Sequence, residues 1–237
     1  ITMLIVPLMS CAGRMPVYVL IAGAFFSRNA GVVLLGLYAL GILLAVLAAK
    51  VMSSFFKDDD LPFVMELPNY RMPTFKNTSL LLWDKAKDFL QRAFTIIFLA
   101  TLIIWFLQSF DIHFTLVEDS KDSILAMISS LLVPIFKPIG LGDWRICTSL
   151  ITGFIAKESV VSTMEVLFAG QAITQVLSTL SATSLLIFSL LYSPCAAAIS
   201  SIKNELGGKW ALGVVLWQCG IAWVASLLVY LIGGLMI

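Results

Sequence analysis

The chain carries four long stretches that contain no charged residue, and their pattern predicts its class. They cover residues 29–49, 93–110, 166–202 and 210–237. A helix needs roughly 20 apolar residues to cross the hydrocarbon core of a bilayer. Strands of a membrane barrel would alternate over segments of about 10 residues, whereas these stretches are continuous and rich in Leu, Ala, Ile and Val. The pattern predicts an all-α fold, a polytopic transmembrane helical bundle.

The N-terminal apolar region is interrupted before the first complete span. Residues 1–13 and 15–27 flank Arg14 and contain Pro7 and Pro16. Because proline lacks a backbone donor and disrupts the preceding turn, we predict a broken segment followed by a short helix. The first complete span is then expected at residues 29–56. We interpret the start at Ile1 as a position inside a longer protein.

Two further apolar segments are also too short to span alone. Residues 123–136 and 146–156 are separated by the turn-forming sequence FKPIGLGDWR. Interrupted helices at membrane depth are tolerated where they face protein or a water-filled cavity. We therefore predict a re-entrant hairpin, whose second arm continues as a helix through Lys157 and Glu158 to about Phe168.

The C-terminal part predicts two more helices. Residues 178–202 read as a span interrupted at 193–195, and a short turn at 203–209 leads into a last helix at 210–237.

A polar segment separates the first span from the second. Residues 57–92 concentrate lysine and arginine, which places them on the cytoplasmic side, and the second half predicts an interfacial amphipathic helix that continues into the next span. The acidic stretch 111–122 fits the outer face. Glu66 reads as a solvated loop acid.

Composition excludes most other classes of protein. Of the 237 residues, 60% are hydrophobic and 12% are charged, and the net charge is +1. This net charge by itself says nothing about nucleic-acid or acidic partners, and we expect no nucleic-acid partner for a chain of membrane helices. The four cysteines form no CxxC pair, and the single histidine, His113, cannot build a histidine metal site. HExxH, GxSxG and P-loop patterns are absent from the sequence. These features argue against an enzyme.

Three places in the sequence combine a helix break with reactive side chains. In the first, prolines bracket Met9, Ser10 and Cys11, a mixture of soft and oxygen donors that suits a transient divalent cation. A small buried thiol beside a kink is the alternative. The second is the break that precedes Cys195 and three alanines, which fits either a substrate site in a discontinuous helix or a packing kink.

The third place contains charged residues within an apolar segment. Lys157 and Glu158 are costly inside a bilayer and suggest function, although a helix end that emerges into water would explain them equally well. Glu158 and Glu165 are seven positions apart, so in a continuous helix they would share one face, with Ser162 between them, and that face could line a hydrated path.

Four motifs, in this order, resemble the membrane domain of the ferrous iron transport protein B family. They are VPLMSCAGRMPVYVLIAGAFF at 6–26, MELPNYRMP at 65–73, ITGFIAKESVV at 151–161 and SPCAAAISSIKNELGGKWAL at 193–212. The resemblance covers nearly the whole chain. It implies a fold with gate-type repeats and broken helices.

The resemblance divides the chain into four parts. The first part is the end of an inter-repeat membrane region (residues 1–56), and the second is a cytoplasmic linker with an amphipathic helix (57–92). A second gate-type repeat (93–205) and a C-terminal transmembrane helix (206–237) follow.

The resemblance also implies a function. This is uptake of Fe2+ across the bacterial cytoplasmic membrane, with Fe2+ as transported substrate and no cofactor bound by this part of the protein. GTP binding and a first gate repeat are expected in a preceding region, and small accessory Feo proteins or a homo-oligomer are possible partners. The family's gate cysteines correspond to Cys11 and Cys195, and its GFIAKE acid to Glu158. Together with Met9 and Ser10 they form the predicted Fe2+ path.

Two other functions stay open on the sequence. Gate-type repeats also resemble carriers of nucleosides, which would need several polar groups for ring and ribose recognition, and the breaks offer few. The other function is a membrane scaffold without a substrate path. Cys147 and Cys219 match no motif and are expected to be packing residues.

Overall fold

The computed structural model of the chain describes residues 5, 8–55, 74–117, 120–168 and 173–236. In these ranges it is helical, and the only β-pairing among them is an isolated bridge between Phe110 and Leu116. The predicted all-α class is therefore confirmed. The expectations for residues 1–4, for Pro7 and for the linker at 57–73, including Glu66, lie outside the described residues.

The first two helices follow the predicted break. A 3-10 turn at Ala12–Arg14 leads into α1 (Met15–Phe25), where Pro16 occupies one of the first two positions of the helix. A proline is tolerated there because these amides lack helical acceptors in any case. Helix α2 (Ala30–Phe55) follows and contains the span Ala30–Ser54. The predicted first span is confirmed.

Helix α3 (Phe75–Ser109) is continuous over 35 residues. It joins the predicted amphipathic helix to the apolar stretch that follows, as the sequence suggested. Many of its large apolar side chains, such as Trp83 and Phe94, are exposed. Because the chain is a membrane protein, this exposure is compatible with contact to lipid.

The predicted hairpin is present and sharply bent. Helix α4 (Ile124–Phe136) ends in a 3-10 turn at Lys137–Ile139, and α5 (Trp144–Ile155) leaves it at an angle of 104° to the first arm. Gly140 adopts φ +76° at the turn, a conformation that costs other residues steric strain.

Side chains fix both the starts of the hairpin arms and the turn between them. Ser123 and Asp143 cap α4 and α5 by accepting hydrogen bonds from backbone amides. The Trp223 indole donates to the Ile135 carbonyl at 2.9 Å. Ser184 donates to the Ile139 carbonyl at 2.7 Å.

The second arm of the hairpin does not continue to Phe168 as one helix. It ends at Ile155, and α6 (Ser159–Phe168) begins after a break at 156–158. The prediction of a continuous arm is wrong because Ala156 has extended backbone angles. Glu158 therefore precedes α6, and the helix face predicted to join it to Glu165 does not exist.

The C-terminal helices surround the core. The short helix α7 (Ile173–Val176) precedes α8 (Thr179–Leu191), which is buried over most of its length. After a break at 192–195, α9 (Ala196–Leu206) completes a candidate span with α8, and α10 (Gly208–Met236) contains the third. The predicted turn at 203–209 is shorter than expected, since Gly207 alone separates α9 from α10.

Among the described residues, three helices or helix combinations are thus long and apolar enough to cross a membrane, and the bent α4–α5 pair is either a fourth span or a re-entrant loop. Helices α1, α5, α6, α8 and α10 supply most of the core, which includes Tyr18, Ile146, Met164, Leu186 and Ala222. The predicted bundle with broken helices is confirmed.

Candidate functional site

Three breaks of the chain lie against one another in the bundle. They are the segment 8–14 before α1, the segment 156–158 between α5 and α6, and the segment 192–195 between α8 and α9. We call this meeting point the junction. The backbone carbonyls at helix ends lack intrahelical donors, so the junction concentrates backbone acceptors that need other partners.

Arg14 joins the first and third breaks. Its guanidinium donates from Nη1 to the Met9 carbonyl at 3.2 Å and from Nη2 to the Tyr192 carbonyl at 3.3 Å. The side chain is only 2% exposed. A guanidinium presents several donors in a fixed planar fork, so one residue can bind carbonyls from two separate breaks. The sequence suggested no role for Arg14 beyond separating two apolar stretches.

Lys157 connects the second break to the same acceptor, the Tyr192 carbonyl. Its Nζ donates to the Tyr192 carbonyl at 3.4 Å and lies 4.3 Å from the centroid of the Tyr192 ring. The side chain is 4% exposed. Burial of a cation is expensive unless acceptors compensate for the lost water, and the carbonyl and the aromatic face both do so.

The Tyr192 carbonyl therefore accepts hydrogen bonds from two side chains. Pro194 lacks an amide proton and helps to end α8, as expected. The freed acceptor at Tyr192, however, contacts two side-chain cations of the protein itself. Long-range partners reach this carbonyl from residues 14 and 157, so the break does not leave it without hydrogen-bond donors.

Two glycines allow the backbones to approach at the junction. A Cβ on Gly153 would overlap Val160 of α6 and would lie 2.5 Å from the Tyr192 hydroxyl. A Cβ on Gly13 would overlap the Glu158 carboxylate. The glycine of the GFIAKE motif is thus needed for close packing of α5, α6 and α8.

The predicted Fe2+-path residues lie at or beside the junction but differ in exposure. Met9 and Cys11 are exposed, while Ser10 and Cys195 are half-buried. Ser10 lies against Gly41 of α2. Glu158 is exposed and lies against Gly13.

Cys11 and Cys195 are within electrostatic range of the Lys157 ammonium, and so is Cys219 of α10. Cys219 had been expected to be a packing residue, and its place near Lys157 was not foreseen. Cys147 is 1% exposed, and its Sγ lies 3.7 Å from the Leu141 carbonyl.

No group of three or more His, Cys, Asp and Glu side chains is close enough to hold one metal ion in the part of the chain that the structure describes. A closed, tightly binding metal cage is therefore not formed by these side chains. An ion that passes the junction would be bound by fewer side-chain ligands and by carbonyls, which is the condition for rapid release.

A second polar region lies between α4, α5 and α6. Thr148 donates to the Ser129 hydroxyl at 2.8 Å, and the hydroxyls of Thr152 and Thr163 are 3.1 Å apart. These four side chains are buried. A cavity of about 180 Å³ adjoins them, and its lining includes Gln108, Ser123, Thr148, Ser162 and Thr163.

Sequence reasoning missed this hydroxyl cluster, since serine and threonine in apolar runs resemble neutral packing residues. The available signal was the four-residue spacing of Thr148 and Thr152, which places both on one face of a helix.

Two family models match the chain. The model described as "Ferrous iron transport protein B C terminus" matches residues 34–85, and the model described as "Nucleoside recognition" matches residues 90–209. The second match includes both arms of the hairpin and the breaks at 156–158 and 192–195.

Curated relatives match over essentially the whole chain. The protein named Fe(2+) transporter FeoB from Methanocaldococcus jannaschii is 38% identical over 100% of this chain and 37% of its own length. The protein of the same name from Staphylococcus aureus is 36% identical, again over 100% of this chain and 37% of its length. A Porphyromonas gingivalis protein, named as a fusion of Fe(2+) transport protein A and Fe(2+) transporter FeoB, is 37% identical over 98% of this chain and 34% of its length.

The chain thus spans little more than a third of the length of these relatives. No solved structure matches it. The matched family models and the relatives agree with the motifs at the junction and with the helical architecture, and on these grounds the chain belongs to the ferrous iron transport protein B family, as part of its membrane region.

Proposed function

We propose that this chain is the membrane-embedded permease part of a GTP-dependent transporter that takes up Fe2+ across the bacterial cytoplasmic membrane. The observation that carries the proposal is the match of the entire chain to relatives named as Fe(2+) transporters. That match includes the three breaks of the junction, which is where transporters with discontinuous helices bind their substrates.

The chemistry of the junction supports a weakly held divalent cation. Thiols at Cys11 and Cys195, the Met9 thioether and the Ser10 hydroxyl are a mixed set of soft and hard donors. Fe2+ lies low in the order of divalent affinities, so a few such ligands suffice for passage without trapping. In this proposal Glu158 supplies an exposed carboxylate at the edge of the same path.

The rest of the protein is expected to supply GTP binding and a first gate repeat. The relatives are much longer than this chain, which leaves room for both. One relative is named as a fusion with Fe(2+) transport protein A, and this supports a small accessory protein as a partner. A homo-oligomer is a further possible assembly.

Transport of nucleosides is the less supported function. The second family model has nucleoside recognition in its description, but the relatives reported above are named for Fe(2+). The described junction offers thiols, two cationic side chains and the single carboxylate of Glu158, and not the several polar groups that would recognise a base and a ribose.

A transport assay on the intact protein tests the proposal. We expect Cys11→Ser combined with Cys195→Ser to lower Fe2+ uptake into proteoliposomes while membrane abundance stays unchanged. Cys147→Ala, at a buried thiol outside the junction, is the matched control and should retain uptake. Unchanged uptake in the double variant would remove both thiols from the path, and competition by nucleosides rather than by metals would favour the alternative carrier.

A further inference from the structure

The carbonyl of Tyr192 is a cation-binding group placed at the centre of the junction. Helix α8 ends at Leu191, and the chain stays non-helical until α9 starts at Ala196. The carbonyl therefore has no helical donor and points to side chains from other breaks. Backbone carbonyls freed in this way are the groups that coordinate permeant cations in broken-helix transporters.

The Lys157 ammonium occupies the surroundings that a permeant cation would use. It binds this carbonyl at 3.4 Å, lies 4.3 Å from the Tyr192 ring centroid, and is within electrostatic range of three thiols. Carbonyl oxygens, an aromatic face and sulfur atoms all attract positive charge. The Lys157 ammonium and a divalent ion cannot both occupy the position next to the Tyr192 ring and the thiols, because two cations within a few ångströms in a desolvated site repel strongly.

We propose that Lys157 is a tethered cation that occupies the Fe2+ path at rest and must leave the Tyr192 carbonyl before the ion passes. The inference rests on the proposed function. In addition, the Lys157 ammonium would close the path at rest and admit only ions that can displace it. It uses only residues of this chain.

Lys157 is better suited than Arg14 to be the cation that moves. Arg14 binds carbonyls from two breaks at once, so its release would break two hydrogen bonds. Within the described part of the chain, the Lys157 ammonium makes one hydrogen bond, and the residue lies in the short non-helical segment 156–158. Its four-carbon side chain is flexible and its ammonium has no fixed orientation. The lysine can therefore leave while Arg14 keeps the breaks together.

The inference is tested by removing the charge in the intact protein. Lys157→Met keeps an unbranched stem as long as the four carbons of lysine and removes the ammonium, while Lys157→Arg keeps a cation. Lys203→Met, at an exposed lysine of α9, is the matched control. Fe2+ entry into proteoliposomes is measured without nucleotide and with GTP.

We expect Lys157→Met to raise nucleotide-free Fe2+ entry by at least about tenfold, because a repelling charge is removed from the path. Lys157→Arg and Lys203→Met should stay at the wild-type level without nucleotide. Should Lys157→Met not fold, Lys157→Gln is the second variant, since its amide still donates to the Tyr192 carbonyl. If the variants without a charge at position 157 fold and their nucleotide-free Fe2+ entry equals that of wild type, the inference is wrong.

A binding measurement separates this inference from the proposed function. Co2+ alone is titrated into the detergent-solubilised protein, and its thiolate absorption reports binding. Tighter Co2+ binding by at least about tenfold in Lys157→Met than in wild type supports the tethered cation, and equal binding overturns it. If wild type shows no Fe2+ uptake with GTP, the proposed function fails, while the Co2+ titration still decides whether Lys157 competes with a metal ion.

Discussion

Arg14 donates a hydrogen bond to the carbonyl of Tyr192 although the two residues lie 178 positions apart in the chain. The same guanidinium also binds the Met9 carbonyl. One side chain therefore fixes the segment before α1 against the end of α8. The relative position of two breaks, and with it the shape of the junction, depends on this single planar group.

The first prediction concerns the geometry of that group. Arg14→Lys keeps the charge but offers one ammonium in place of a planar fork, so it cannot bind both carbonyls in the same way. We expect a loss of about 2 kcal/mol in stability, the range for one hydrogen bond from a charged donor. A lower thermal midpoint of the intact protein in detergent is the measurement.

Arg28→Lys provides the control for Arg14, because Arg28 is exposed in the turn between α1 and α2. This variant should keep the wild-type midpoint. Equal midpoints for both variants would show that Arg14 does not hold the two breaks together.

The second prediction concerns the turn of the hairpin. Gly140 has φ +76°, and a Cβ there would overlap Tyr230 of α10 and lie 2.9 Å from the Ser181 hydroxyl. Gly140→Ala should cost about 1–2 kcal/mol for the left-handed backbone and about 1–3 kcal/mol for the overlap. The thermal midpoint should fall accordingly.

Gly142→Ala is the matched control for the same turn. A Cβ at Gly142 meets Lys137 at 3.4–3.5 Å, which is ordinary contact, and its backbone is not left-handed. We expect a midpoint close to wild type. A similar loss in both variants would point to a general sensitivity of the loop instead of strain at Gly140.

The third prediction concerns the close approach of α5, α6 and α8. Gly153→Ala places a methyl group against Val160 and the Tyr192 hydroxyl. We expect overpacking to cost about 1–3 kcal/mol and Fe2+ uptake per folded molecule to fall, since the shift reaches Tyr192. Thermal midpoint and proteoliposome uptake are the two measurements.

Gly220→Ala makes the same chemical change in α10, where a Cβ would meet nothing within 4 Å. In a helix interior this change should stabilise by about 0.5–1 kcal/mol, because alanine loses less backbone freedom than glycine. If Gly153→Ala also stabilised the protein, the proposed close packing at the junction would be wrong.

The sequence predicted where the helices break better than it predicted what fills the breaks. Pro194 and the Pro/Gly-rich turn near Gly140 carry their signal locally, so the interruption of α8–α9 and the hairpin were both expected. The break at 156–158 was missed because the segment IAKES contains neither proline nor glycine. At that break Lys157 makes a tertiary contact, the hydrogen bond from its ammonium to the Tyr192 carbonyl.

In the candidate site, too, residues with a local sequence signal were predicted and residues brought in by tertiary packing were not. Cys195 was found because it directly follows Pro194, and Cys11 because it lies between Pro7 and Pro16. Both are within electrostatic range of Lys157. Cys219 could not be found, since nothing near it in the sequence marks a break and only the packing of α10 brings it close. Lys157 and Cys219 lie 62 positions apart (219 − 157), so only the three-dimensional arrangement reveals that they are neighbours.

The last prediction concerns access of water to the thiols. Cys11 is exposed, whereas Cys147 is buried against the Leu141 carbonyl. In single-cysteine variants of the intact protein, a membrane-impermeant thiol reagent should modify Cys11 at least about tenfold faster than Cys147, because a buried thiol reacts only after local opening. The rates are measured with reagent added to each side of the membrane in turn.

The side from which Cys11 reacts also tests its place in the path. A thiol in a hydrated passage should react from at least one side, and Fe2+ should slow the reaction if the ion passes close to it. A Cys11 that is unreactive from both sides would lie in dry helix contacts and could not bind a passing ion. Membership of the family would stand after that result, because it depends on the match along the whole chain and not on the exposure of one sulfur atom.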